Sequence, residues 1–587
     1  MWPDVMHLFV EVKGDISMNF AAIAHMPDHR YCYCLRPGVF LFRLQTGRGD
    51  LRKVVLHYQD KYIPRRFVDT RKKVEMKLVA SDHYHDYFEA QVEINVVCLR
   101  YFFEMVGIDG AISYYSNCRF LTTEPDDIDR MFDLPQNLRE IERFEVPQWA
   151  CNKIVYQVFP ARFASSYEVE DKTWYKAPIK ADTDLKGDLR GLLSRLNYIR
   201  DLGADILYLT PIFYSKSRHK YDTIDYYTID PSFGTTEDLI RLVDQAHDLG
   251  MKVILDGVFN HTAPEFFAFQ DLEENWDTTP YRDWYYCDGR PKRPKIFGVK
   301  PNYKCFSYFG GMPKLNLENS ETGAYFINVA LYWLRTAHVD GWRLDVADEV
   351  SHRYWYRFRS EIKKEFPDAL IVGEVWHYAA DFLQGDNWDS VMNYHFRNAV
   401  MDFVAKETIT ASEFLDEMGF LRGNLNNACY SLMWNLIDTH DTPRALYECN
   451  ENKDKLRLLA AFQLLLPGMP FVYYGDEVGM TGGADPDCRR GMLWDSEKQD
   501  QSMLQFYKKL IQVRKSHPVL TDGDPCEKFA DDENGIVYIR RKELLLVFHG
   551  RDGDVNLSLY HGLVDILTGE IFKGRIGPYQ AIVLKTK

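Results

Sequence analysis

No run of apolar residues in this chain reaches the roughly 18 needed to cross a membrane as a helix. The opening residues, Met1 to Gly14, carry Asp4 and Glu11 and no basic segment ahead of an apolar run, which is not the pattern of a secretory signal. A disulfide framework is missing as well. The 11 cysteines are odd in number and scattered from Cys32 to Cys526, and the one close pair, Cys32 and Cys34, fits alternate positions of a strand. A reduced, cytoplasmic setting is therefore expected. Positive charge is scarce: 71 Lys and Arg against 86 Asp and Glu leave a net charge of −15. That balance argues against nucleic acid or an anionic membrane as partner and suits a neutral substrate.

The length of 587 residues calls for roughly three or four domains, and 46% hydrophobic residues are enough to build their cores. Aromatics make up 14%, with 12 Trp and 37 Tyr. Such rings suit stacking on sugars, and bulky cores explain them equally well.

Residues 1–125 read as all-β. Segments such as Val39-Phe-Leu-Phe-Arg-Leu44 and Tyr87-Phe-Glu-Ala-Gln-Val-Glu-Ile94 lie between turn residues, a spacing that predicts a β-sandwich. Residues 126–148 are polar, acidic and punctuated by Pro135 and Pro147, and read as a linker. From 149 to 514, short apolar runs alternate with segments of helical period. Strands are expected at 154–158, 206–209, 253–256, 339–345, 370–374, 390–394, 433–437 and 471–474. Eight such units predict an α/β chain closing as a (β/α)₈ TIM barrel, with a doubly wound sheet as the alternative. Residues 262–319 lack helical period and read as a subdomain inserted after the third strand. The tail, 515–587, returns to short strands and reads as a second β-sandwich.

Arg343 and Asp345 stand two apart at the end of the fourth predicted strand. Alternate strand positions share a face, so the two emerge side by side, and a guanidinium favours an ionised carboxylate. A structural ion pair would look the same. Polar clusters, however, recur at other predicted strand ends: Asp256 to His261, Glu374 to His377 and Asp438 to Asp441. Chemistry in such barrels sits at the C-terminal strand ends. A metal centre is one alternative, which an arginine among the carboxylates opposes. Paired carboxylates in distinct environments also suit glycoside cleavage.

Four segments carry a resemblance: Asp256-Gly-Val-Phe-Asn-His261, Gly341-Trp-Arg-Leu-Asp345, Gly373-Glu-Val-Trp-His377 and Thr439-His-Asp441. Together they resemble the α-amylase family, glycoside hydrolase family 13. Met312-Pro-Lys-Leu-Asn316, Glu374-Val-Trp-His377 and the extra N-terminal domain are similar to its cyclomaltodextrinase, neopullulanase and maltogenic amylase group. The resemblance implies catalytic roles: Asp345 as nucleophile, Glu374 as general acid/base, which must start protonated, and Asp441 as a third carboxylate holding sugar hydroxyls. It implies that Arg343 keeps Asp345 charged, that His261 and His440 bond hydroxyls, and that Tyr221 lies under the sugar being cleaved. Trp376 and His377 would border the leaving group, and Asp485 with Arg489 would bind a more distant sugar. Asp348 and Glu349 have a plainer explanation, as acids at the start of the next helix.

The resemblance further implies small α-glucans as substrates: cyclodextrins, maltooligosaccharides and pullulan, cleaved at α-1,4 and some α-1,6 bonds, with some glycosyl transfer. It also implies a homodimer in which the N-terminal domain shapes the cleft. No cofactor is required by the chemistry. Relatives carry a calcium loop after the first barrel strand. Here Ser165 and Tyr167 replace an Asn and an Asp, leaving Asp171, Gly187 and Asp188 as weak candidates and calcium in doubt. Two other readings remain at this stage: a glucanotransferase, and a non-catalytic accessory protein on the same fold. The latter lacks the catalytic carboxylates and carries a membrane span.

Overall fold

The structure is a computed structural model that describes residues 18–63, 68–125, 130–294, 299–521 and 526–586. The opening segment read against a secretory signal lies outside these residues. The chain forms two compact units, 1–143 and 144–587.

The first unit is antiparallel throughout. Lys72–Ser81 pairs with both Leu51–Asp60 and His85–Glu93, so one continuous path of strands bends around a single core. Alternate residues from both halves, such as Phe40, Phe42, Leu56, Phe88, Tyr101 and Phe103, fill that core. The linker expectation for 126–148 needs correction. Phe132–Pro135 adds a strand beside Cys98–Gly107, and Gln136–Ile141 is a helix. Phe132 and Leu134 are buried in the core of the first unit, which outweighs the acidic Asp133 between them.

The second unit is the barrel. Its strands are β1 (Val155–Val158), β2 (Ile206–Leu209), β3 (Lys252–Gly257), β4 (Gly341–Leu344), β5 (Leu370–Gly373), β6 (Ser390–Val391), β7 (Trp434–Leu436) and β8 (Met469–Tyr473). All pair in parallel, in the order β6-β5-β4-β3-β2-β1-β8-β7, and a bridge from Met392 to Trp434 closes the ring. Each strand divides its side chains by alternation. Val155, Tyr208, Ile254, Leu370, Val372, Trp434 and Phe471 fill the interior, while Tyr156, Leu207, Leu255, Trp342 and Ile371 face the surrounding helices. Helix starts follow local signals: Thr235 and Asp238 form a capping box, and Asn319 caps Ser320–Thr336.

The insertion after β3 is held by isolated bridges, including His261 to Lys314 and Tyr285 to Leu315. Among the described residues it contains an α-helix, Phe267–Glu274, whose Ala268, Phe269 and Leu272 are buried; at eight residues it is too short to show a helical period in sequence. The tail forms a five-stranded antiparallel sheet and a two-stranded one. Val537, Ile539 and Phe548 pack into the barrel's outer core, and Phe548 stacks on Phe462 at 4.2 Å. Ile536 and Val547 pack on the opposite side.

Candidate active site

Arg343 is the hub of the rim. Asp256 of β3 and Arg343 of β4 are register partners, which brings together residues 87 apart in sequence. The Arg343 guanidinium is fully buried and reaches three carboxylates. Its Nη1 lies 2.8 Å from Asp345 Oδ1 and 3.1 Å from Asp256 Oδ2, and its Nη2 lies 2.9 Å from Glu374 Oε2. Both Asp345 and Glu374 are nearly buried. The i, i+2 spacing thus does what the strand geometry required.

The electrostatics differ from the expectation that Arg343 alone keeps Asp345 charged. One guanidinium is divided among three carboxylates, so ionising all of them would leave the buried cluster at −2. Burial and then the neighbouring Glu374 push the Asp345 carboxyl well up, with Arg343 opposing. Burial also pushes Asp256 up to about 6, again against Arg343. Burial and the crowding of carboxylates on one guanidinium thus favour a proton on Asp345, opposed by Arg343.

Glu374 is held from several sides. Its Oε2 accepts from the Val346 backbone N–H at 3.0 Å, and its Oε1 accepts from the Trp376 indole N–H at 3.0 Å. Val346, directly after Asp345, has φ of 45°. That left-handed conformation is rare for a β-branched residue and costs on the order of 1–3 kcal/mol. It turns the chain sharply so that the amide of residue 346 meets Glu374.

A second chain of contacts supports the opposite wall. With the Gln157 amide donating to His440 Nδ1 (2.7 Å), His440 Nε2–H faces the Tyr221 oxygen (2.5 Å), and Tyr221 O–H donates to Asp256 (3.1 Å). The Tyr221 and His440 rings are stacked within 4° of parallel. Burial holds His440 well below the usual imidazole range and lowers His261 to about 3, so both rings are neutral. Asp441 is gripped by Arg489 Nη2 at 3.0 Å, and Arg489 Nη1 lies 2.9 Å from Asp485.

These groups surround a cavity of about 480 Å³, a size typical of ligand sites. Of the residues expected from sequence, Tyr221, His261, Asp345, Glu374, Trp376, Asp441, Asp485 and Arg489 line it. Arg343 and His440 lie buried behind it. His377 is not on the wall; it is exposed and sits 2.9 Å from Asp348. Asp348 and Glu349 also depart from their plainer explanation. They lie in a separate 3₁₀ turn, Ala347–Glu349, ahead of the helix at His352, and both line the cavity. His219, Phe306 and Met312 were not singled out as site residues, yet they line it too, and Phe306 stacks on His261 at 5.3 Å. For Phe306, one of several aromatics in an irregular stretch (Tyr303, Tyr308 and Phe309 lie beside it), nothing in the sequence sets it apart.

The calcium candidates do not fit a cation. Asp188 Oδ1 accepts from the Gly191 N–H at 2.6 Å as a helix cap, and Oδ2 accepts from the Ser166 hydroxyl at 2.5 Å. Its oxygens are turned to donors that an ion would have to displace. Gly187 is explained by packing, since a Cβ there would stand 2.2 Å from the Pro160 carbonyl oxygen. Asp171 begins a different helix, Asp171–Trp174. Among the described residues no group of three or more His, Cys, Asp or Glu is placed to hold a metal, and no helix is long and apolar enough to cross a membrane.

Residues 157–523 match the α-amylase catalytic domain, and residues 18–136 match the N-terminal ig-like domain of α-amylases. The chain belongs to the α-amylase family. It is 41% identical over 514 residues to a cyclomaltodextrinase of Thermoanaerobacter pseudethanolicus, covering 87% of this chain and 88% of that one. Similarity to neopullulanase 2 of Thermoactinomyces vulgaris is 37% over 593 residues, covering 97% and 99%. Among solved structures, a cyclomaltodextrinase superposes with a TM-score of 0.89 at 32% identity, over 96% of this chain and all of that one. The protein is an α-glycoside hydrolase of the cyclomaltodextrinase, neopullulanase and maltogenic amylase type.

Proposed function

We propose that the chain hydrolyses α-1,4 and some α-1,6 glucosidic bonds in cyclodextrins, maltooligosaccharides and pullulan, with some glycosyl transfer, and retains the α-configuration. The observation that carries this reading is the placement of Asp345 and Glu374 on the two terminal nitrogens of one buried guanidinium, at the wall of a single cavity. Retaining glycosidases hold their two carboxyls only about 5–5.5 Å apart, and a shared guanidinium favours such closeness.

In the reacting state the proton of the coupled pair resides on Glu374, and Asp345 is ionised against Arg343 Nη1. Glu374 protonates the glycosidic oxygen as the bond to the anomeric carbon breaks. Asp345 bonds to that carbon and forms a glycosyl-enzyme. Its negative charge is then lost in the ester, and Glu374, now ionised beside Arg343, is ready to take a proton from water or from a sugar hydroxyl. Asp441, fixed by Arg489, accepts hydrogen bonds from sugar hydroxyls, and Tyr221 supplies a flat face beneath the ring.

The test is the product profile of the purified protein on β-cyclodextrin, pullulan and starch. Cyclodextrin opening faster than starch, with panose released from pullulan, supports the proposal. Preference for long starch overturns the substrate assignment, and transfer exceeding hydrolysis on maltotriose makes the protein a glucanotransferase. We further propose a homodimer through residues 1–125, for which the solution mass should be twice 68.8 kDa. A cytoplasmic location is supported by the 11 free cysteines, six of which are buried thiols; cell fractionation checks it.

A further inference from the structure

The two oxygens of Glu374 are not equivalent. Oε2 faces the Arg343 guanidinium at 2.9 Å and accepts from the Val346 amide at 3.0 Å. An oxygen that already accepts one N–H and lies against a cation is a poor seat for a proton. Oε1 has one partner, the Trp376 indole N–H at 3.0 Å. An oxygen in that position can accept the indole hydrogen and still direct its own O–H into the cavity that Trp376 and Glu374 both line.

The indole is itself placed from behind. Trp376 is 49% exposed, and an aromatic so exposed is free to change rotamer unless something holds it. Its ring lies on Tyr394 with centroids 4.2 Å apart and planes within 16°. Tyr394 is 2% exposed and opens the helix Tyr394–Val400, shortly after β6, so it belongs to the packed barrel. We propose that the Tyr394–Trp376 stack is a positioning device that assigns the acid proton of Glu374 to Oε1, with Trp376 Nε1–H as the donor that orients it. Tyr394 acts only through Trp376 and is a positioning residue. During cleavage the Oε1 proton moves to the glycosidic oxygen as its bond to the anomeric carbon breaks. The electron pair left on Oε1 is then received by the indole N–H. The inference rests on Glu374 being the general acid.

The test is the pH dependence of kcat/KM on maltotriose for four variants. Removing an N–H donor makes the carboxylate of Glu374 harder to form, so the proton is retained to higher pH. The alkaline limb should therefore move up, by roughly one pH unit. Trp376→Phe keeps a ring on Tyr394 and loses only the donor, and Tyr394→Ala removes the platform. Both should shift the limb upward and to the same extent, and the double variant should shift it no further. Tyr394→Phe retains the stack and should leave the limb at its wild-type position. A raised KM in Trp376→Phe with an unmoved limb would overturn the inference and leave the indole as a wall for the sugar. A shifted limb in Tyr394→Phe would overturn it in favour of the hydroxyl. Because Trp376 is half exposed, its variant does not depend on core repacking if Tyr394→Ala fails to fold. Wild-type hydrolysis by Glu374→Gln would sink the general-acid reading itself, whereas an inactive Glu374→Gln beside an unmoved limb sinks only the role of the stack.

Discussion

Asp188 shows how far a single carboxylate can be committed by its neighbours. Its two oxygens take the Gly191 amide and the Ser166 hydroxyl, both short contacts. A helix cap of this kind contributes about 1 kcal/mol, and the Ser166 hydroxyl adds a second donor. The loop after β1 is thus closed by hydrogen bonds where a cation would otherwise be needed. The expected outcome is a melting midpoint that does not move between excess chelator and millimolar calcium. A rise with calcium would mean that Asp188 turns to an ion. Arg343 and Asp345 were legible from spacing alone, because alternation along a strand is local. The sharing of Arg343 with Asp256 was not, since only the β3–β4 register brings residue 256 to it. The same holds for the contact between His377 and Asp348, and for the left-handed Val346.

At the scale of elements, Asp345 and Glu374 directly follow β4 and β5, and the pairing of those strands sets the separation between the two carboxylates proposed to react. Gly341 opens β4 at φ +156°, and a Cβ on it would stand 2.1 Å from the carbonyl oxygen of Leu370, its partner in β5. Only glycine permits that approach. Gly341→Ala should destabilise the barrel by about 3 kcal/mol, the upper part of the usual range for forced overpacking, and should lower kcat because Asp345 moves with the strand. Thermal melts and steady-state kinetics check both, and a variant with wild-type stability would contradict the packing argument. The eight strands were readable because each is a short apolar run set off by helical segments. The strand Phe132–Pro135 was not, since only two of its four residues are buried apolar ones and acids surround them. The helix Phe267–Glu274 hid for a related reason: its length is scarcely two turns.

Over the whole molecule, the barrel rim gathers residues from β3, β4, β5, β7 and the loop after β8 into one cavity, so the chemistry exists only in the folded chain. The central claim is that Asp345 becomes covalently bonded to the sugar and Glu374 serves first as acid and then as base. A maltosyl fluoride separates these roles, because fluoride leaves without a proton. Glu374→Gln should form the glycosyl-enzyme from it and then stall, lacking a base to activate water. Peptide mass analysis of that stalled protein should find one maltosyl unit on the peptide bearing Asp345. An adduct on any other residue, or release of the β-anomer with no adduct, would contradict the account.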